Sequence, residues 1–499
     1  MRIVANTQLN PLKPNHEVLL PFLGISYLDP NAMAKAHQQI SEHSYPRKEL
    51  ISILRKYNSL LGNDTLALHN IERLSSLQQG CVVTGQQLGL MGGPAYTILK
   101  GISCLLLARE SGAVPIFWLA TEDHDVAEID HSYLLDAYGN LKNFHLSFPK
   151  DGRSVEDLKL TEHNVAVIHQ FLQSASINKV LWPKINESYA QTMAQVLVQL
   201  FAGTGMIFLE PKLLRPLARS FFRREIENFQ DLHHVLKGTT SKLLKAGGKE
   251  IISFSDAEAT NLFLKDEKGH RFKILFKNGS FQSGKQRYTE EDLLFLIDEQ
   301  PWRFSTNVAA RPVLQSLLIP TLAYIAGPTE LNYFHQLGDY HQAHAVPMPC
   351  IVPRISATLI PAYAAEILAK CKIDPSMEIP SHWNDLLPQL NDGFVQMTAD
   401  WKQSAWQQFE NEISLEAVER IIKHAAFKLQ KKIVKSRLQA EGIPLHGLHL
   451  LRNLIHPHQK PQERILNWWS FQAYSQENLV KEFLKLPSWM PEGHLYCYI

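Results

Sequence analysis

Residues 81–131 read CVVTGQQLGLMGGPAYTILKGISCLLLARESGAVPIFWLATEDHDVAEIDH, and this stretch decides the fold. A short apolar run, Cys81 to Val83, meets a loop rich in Gly and Gln. An apolar helix follows, and a second apolar run from Val114 to Ala120 ends abruptly in Thr121-Glu122-Asp123-His124-Asp125. Strand, glycine-rich loop, helix, strand and polar cluster is the sequence form of a βαβ unit. Ligands of such units sit beyond the carboxyl ends of the strands, where both polar clusters fall.

Further apolar runs extend this core. Met206 to Pro211 reads as a third strand, stopped by proline and followed by a helix with Lys212, Arg215, Arg219, Arg223 and Arg224 on one face, read as a solvated face. Leu317 to Ile325 is an apolar segment, and Cys350 to Arg354 ends another short strand. Between the second and third strands, Phe144, Leu146 and Phe148 alternate with polar residues, and helices are expected near 161–175 and 187–202. Residues 250–285 show short alternating strands with turns at Lys268-Gly269 and Asn278-Gly279, closed by a helix near 289–299. Residues 1–40 read as an irregular arm, and 46–78 as two helices broken at Gly62-Asn63-Asp64. From Pro361 the chain is mostly helical, most continuously over 394–440, where Ile413, Val418, Ile421, Ile422, Ala425, Leu429 and Ile433 form an apolar stripe. Such a helix pairs with a partner inside the chain or across a dimer. His494 to Ile499 reads as a terminal strand. The division is therefore 1–131 arm and first half of the core, 132–205 first insertion, 206–249 core strand and helix, 250–300 β-rich second insertion, 301–360 second half of the core, 361–455 helical domain, and 456–499 a segment packing back on the core.

Composition bounds the function. A chain of 499 residues exceeds what one core usually covers. With 50 basic and 49 acidic residues the net charge is +1, which favours neither nucleic acid nor an anionic membrane as partner. The 5 cysteines contain no CxxC pair, as expected of reduced thiols in a cytoplasmic protein. The opening MRIVANTQLNPLKP lacks a cationic region before an apolar core, so no signal peptide is expected. No uncharged apolar run approaches the roughly 18 residues of a membrane span.

Three polar regions carry the chemistry. In the first, Thr84, Gly85, Gln86, Gln87, Gly92 and Gly93, the glycines let the backbone approach a ligand and the next helix offers amides to an anion. The pattern is neither GxGxxG nor GxxxxGK[ST]. In the second, Glu122, Asp123, His124 and Asp125 are costly to pack unless they face solvent or work, and carboxylates beside His124 suit general acid–base catalysis, with His131 close behind. Were that segment helical, His124, Glu128 and His131 would share a face with metal-ligand spacing. No HExxH is present and no metal site is assigned. The third region holds Asn307, Arg311, the loop Gly327-Pro328, Glu330, Tyr333 and Arg354, expected to converge on one pocket. The two arginine forks suit carboxylates or phosphates. No GxSxG elbow exists.

The motifs VVTGQQLGLMGGPAYTILK, FWLATEDHDVAEIDH, FSTNVAARPVLQ, PTLAYIAGPTELNYFHQL, VPMPCIVPR and KPQERILN together resemble the BshC family of bacillithiol biosynthesis, the cysteine ligases. The resemblance covers nearly the whole chain. It implies an α/β fold with a Rossmann-like core similar to class I synthetases and nucleotidylyltransferases, two connecting-peptide insertions, and an α-helical coiled coil that makes a homodimer. It implies a reaction joining L-cysteine to glucosaminyl malate in the last step of bacillithiol synthesis, with ATP or ADP as bound nucleotide and no metal requirement fixed. Gly93 to Ile98, including Tyr96, lies where related enzymes carry a HIGH-type motif, here without its histidines. In the expected mechanism, amides after Gly92 hold phosphates, Arg311 or Arg354 holds carboxylates, and His124, steered by Asp123 or Asp125, takes the amine proton. Two other readings stay open: another ATP-using ligase or nucleotidyltransferase on this core, and a non-catalytic dimeric scaffold.

Overall fold

A computed structural model describes residues 1–6, 16–136, 138–177, 183–381, 383, 388–475, 478–486 and 493–499. Five strands form one parallel sheet: Cys81–Gln86 (β1), Val114–Leu119 (β2), Ile207–Leu209 (β3), Thr321–Ala326 (β4) and Cys350–Pro353 (β5), in the order β5-β4-β1-β2-β3. Side chains alternate between two apolar layers. Val82, Phe117 and Phe208 enter one, and Val83, Ile116, Trp118 and Ile207 the other. A sheet covered on both faces needs apolar residues at every position, which is why these strands read as unbroken runs.

The chain moves outward from β1 through β2 to β3, then returns on the other side of β1 as β4. The order reverses between β1 and β4, and the crevice at such a reversal is where an open α/β sheet binds its ligand. Three helices border it: Tyr96–Ser111 (α1), Ala310–Leu318 (α2) and Pro328–Phe334 (α3). Residues 97–108 of α1 are all buried, so this helix is apolar on every side, with Lys100 its only charged residue in that span.

Between β2 and β3 lie an antiparallel hairpin, His131–Leu135 with Leu141–His145, and helices Glu162–Ser174 and Tyr189–Leu200. The β-rich segment is a second sheet of Ala259–Lys265, Arg271–Lys277, Ser280–Ser283 and Gln286–Tyr288, with Asn278 and Gly279 both at positive φ in the turn. Phe304–Thr306 pairs with Ala259–Lys265, so Ser305 and Thr306 belong to this sheet, beyond the 250–300 range expected for it.

Other expectations shift. Residues 1–40 are not all irregular: Arg2–Asn6 pairs antiparallel with His494–Tyr498, and Ala32–Ser41 is helical. The apolar segment 317–325 is cut, α2 ending at Leu318 and β4 starting at Thr321, because Pro320 between them continues neither element. The stretch 394–440 is two helices, Pro388–Phe409 (α4) and Leu415–Ala440 (α5), which pack together. Ser414 caps α5, its side chain accepting from the Ala417 amide at 3.3 Å. Among the described residues no helix is long and apolar enough to cross a membrane.

Candidate functional site

A cavity of about 390 Å³ opens at the reversal between β1 and β4. Gly85 and Gln86 from β1 and Tyr324 from β4 line its base, and a Cβ on Gly85 would stand 3.3 Å from the Tyr324 hydroxyl and the Trp118 carbonyl. A side chain there would crowd the floor. Gln87 and Tyr96 line one side, and Arg311, Gly327 and Pro328 another. Glu330, Tyr333 and Arg354 complete the set of expected residues brought together here.

Lys100, Glu128 and Arg464 also line the cavity, and reasoning from sequence left all three out of the site. Lys100 is 3% exposed. Its ammonium donates to the Gly85 carbonyl at 2.7 Å and the Gln86 side-chain oxygen at 3.0 Å, and pairs with Glu330. Glu330 in turn accepts from the Gly327 amide at 2.7 Å and the Tyr324 hydroxyl at 2.8 Å. Burial alone would raise the Glu330 carboxyl, but the Lys100 charge holds it below its ordinary value. Burial likewise pushes the Lys100 ammonium down, against the opposing pull of Glu330.

The two expected arginines are engaged differently. Arg311 donates to the Tyr333 hydroxyl at 2.6 Å and to Gln315 at 3.2 Å. Arg354 turns its fork on Glu463, with a contact at 3.0 Å, and Glu463 also accepts from the Ala357 amide at 2.9 Å. Arg354 is thus tied to a buried carboxylate. The cation left open is Arg464, whose guanidinium has no hydrogen-bond or ion-pair partner among the described residues. Arg354 and Arg464 also border an adjoining cavity of about 320 Å³, with Ser356, Thr358 and His494 in its wall.

Several expected site residues lie elsewhere, each for a physical reason. Thr84 is buried and donates to the Ile325 carbonyl at 3.1 Å, tying β1 to β4. Gly92 and Gly93 form a sealed turn: their amides donate to Gly89 and Leu90 carbonyls at 3.1 and 3.0 Å, and the Tyr189 hydroxyl donates to Leu88 at 2.7 Å from behind. With those amides spent inside the loop, they do not form an anion cradle. Glu122 is buried on Arg215, at 3.2 Å, and Arg215 also meets Glu156 at 2.8 Å. Asp123 accepts from the Gln87 side chain at 2.7 Å and so supports the cavity wall from outside. Asp125 accepts from the Ala127 amide at 3.0 Å as the cap of a short 3-10 turn.

His124 does not reach the cavity. Its ring lies 6.2 Å from the Phe263 ring and 3.3 Å from the Arg271 guanidinium, against the second sheet. Because Val126–Glu128 is one 3-10 turn and not an α-helix, His124, Glu128 and His131 do not share a face. His131 sits on the hairpin, 2.9 Å from Asp130. No cluster of three or more His, Cys, Asp or Glu able to hold a metal occurs among the described residues. Asn307 works at one remove: its side-chain oxygen accepts from the Ala309 and Ala310 amides at 2.9 Å, setting the start of the helix that carries Arg311.

The fold defines a Rossmann-like α/β protein with a cavity at the topological switch of its parallel sheet. Residues 12–355 match the family model described as "Bacillithiol biosynthesis BshC, N-terminal Rossmann-like domain". The chain belongs to the BshC family. A relative named "Putative cysteine ligase BshC" from Koribacter versatilis (strain Ellin345) is 30% identical, with 89% of each chain covered. Relatives of the same name from Heliobacterium modesticaldum (strain ATCC 51547 / Ice1), 28% identical over 94% of each chain, and Geobacillus kaustophilus (strain HTA426), 31% identical over 66% of this chain and 65% of its own, are also similar.

Proposed function

We propose that this protein is a cysteine ligase that joins the L-cysteine carboxyl to the amine of glucosaminyl malate, completing bacillithiol. The observation that carries this reading is convergence: Gln86, Arg311, Glu330 and Arg464, from four separate motifs of the family resemblance, line one cleft at the switch point. A free carboxylate is a poor acyl donor, so ATP activates it as an acyl phosphate or acyl adenylate. Arg464, open on the cleft, suits the carboxylates of the malate moiety. Arg311, held at the cleft wall by Tyr333 and Gln315, places positive charge near where negative charge develops on the acyl group. The reaction runs in the cytoplasm. Incubating the purified protein with L-cysteine, glucosaminyl malate and ATP, with and without a divalent cation, is expected to yield bacillithiol by mass spectrometry. Absence of product under both conditions counts against the reading.

We also propose that α4 and α5 form a coiled coil that pairs two copies. Ile421 and Phe427 are 57% and 60% exposed on α5, an apolar surface that a second copy would cover. Ile421→Asp with Phe427→Asp is expected to turn a dimer into a monomer in size-exclusion chromatography with light scattering. An unchanged mass would oppose the pairing.

A further inference from the structure

The amine must shed a proton as it attacks, and His124, held against Phe263 and Arg271, is not among the residues that line the cleft. Glu128 is. It closes the turn Val126–Glu128 and lines the cavity, and its carboxylate has no hydrogen-bond or ion-pair partner among the described residues. The other carboxylates in or beside the cleft are occupied: Glu330 by Lys100 and the Gly327 amide, Asp123 by Gln87, and Glu463 by Arg354. A general base must reach the proton and be uncommitted to a structural contact, and of the two carboxylates among the described residues that line the cleft, Glu330 is committed and Glu128 is not.

We propose that Glu128 is the catalytic base of the ligation, accepting the proton of the acceptor amine as its nitrogen attacks the activated cysteine carboxyl. The inference rests on the ligase reading above. The nitrogen lone pair forms the new C–N bond. The bond between the acyl carbon and the phosphate oxygen, installed by the nucleoside triphosphate, breaks, and its electron pair leaves with the phosphate or nucleotide. The N–H proton moves to the Glu128 carboxylate and from there to solvent at the cleft mouth. The surroundings suit this work. Glu128 is exposed to the open cleft, and the partial desolvation of its carboxyl raises it, with the Asp123 and Asp125 charges on its own turn raising it further. From the other elements, Tyr96 on α1 and Arg464 line the same cavity. A carboxylate with a raised pKa is a stronger base near neutrality.

The test uses the full chain, L-cysteine, ATP and one of two acceptors. Glucosaminyl malate needs a base, whereas hydroxylamine is largely unprotonated near neutrality and attacks an activated carboxyl unaided, giving the hydroxamate. Glu128→Gln is expected to lower kcat with glucosaminyl malate by about 10²–10⁴-fold, while hydroxamate formation and the KM for glucosaminyl malate stay near wild type. Glu128→Asp is expected to keep part of the activity with the acid limb of its pH–kcat profile displaced. Wild-type kcat in Glu128→Gln, or equal loss of both reactions in a variant that melts like wild type, overturns the proposal. A wild-type protein that forms neither product refutes the ligase reading itself, an outcome distinct from either of these.

Discussion

Lys100→Met is expected to destabilise the protein by about 3–5 kcal/mol, read from urea or guanidinium unfolding. The side chain is an ammonium at the floor of the cleft, 3% exposed and satisfied by the Gly85 carbonyl, Gln86 and Glu330. Methionine fills similar space but strands the Glu330 carboxylate without its main counter-charge, and an uncompensated buried charge costs more than the pair it came from was worth. The sign of the pH dependence follows. In the wild type Lys100 holds the Glu330 carboxyl below its ordinary value. Without it burial is opposed only by Arg311 and the Gly327 amide, and the folded pKa is expected to rise above the unfolded one. Such a group contributes stability below the unfolded value, about 4.3 for Glu, and loses it as pH rises through the folded value. The deficit of Lys100→Met is therefore largest at neutral pH and shrinks on acidification. Lys100→Met/Glu330→Gln is expected to recover much of the loss, and a single variant as stable as wild type at neutral pH would refute the pair's role.

Arg215→Met is expected to cost a comparable amount, about 3–5 kcal/mol, by the same argument. Arg215 is 3% exposed and lies between Glu122 and Glu156, both buried, with Lys265 against Glu156 on the far side. This network moors the turn after β2 to the second sheet. Its loss frees Asp123, which holds the Gln87 amide at 2.7 Å. The expected result includes a second effect, a raised KM for substrates in a cleft whose wall has loosened. Chemical denaturation together with steady-state kinetics checks both. Unchanged stability would mean that the carboxylates find water or protonate without cost.

The parallel sheet was legible because buried strands leave unbroken apolar runs, and Val82 or Ile116 could sit nowhere else. The cleft was legible in part: Gln86, Arg311, Glu330 and Tyr333 stand at strand ends and helix starts, where a switch point gathers them. His124 was misplaced because the sequence displays its acidic neighbours but not the direction of the turn. A 3-10 turn sends the ring to Phe263 and brings Glu128 to the cavity. Gly92 and Gly93 resemble an anion loop in composition, but the amides they would lend are consumed by Gly89 and Leu90. Lys100 carried a signal that went unread: one charge amid the apolar span 97–108 of α1, costly unless paired. Arg464 stood inside the motif KPQERILN, which carried no sign of where it packs. It lies more than 350 residues from Tyr96 in the chain, and only the packing of the C-terminal segment sets it beside the cleft.

Synthesis of bacillithiol in the cleft between β1 and β4 is tested most directly by kcat/KM for glucosaminyl malate in wild type and Arg464→Ala, with L-cysteine and ATP saturating. Losing a charged hydrogen-bond donor to substrate costs about 1.5–3 kcal/mol, so Arg464→Ala is expected to fall by about 10–100-fold, chiefly through KM, with unchanged thermal stability. Equal kcat/KM in the two proteins would contradict the placement of the substrate in this cleft.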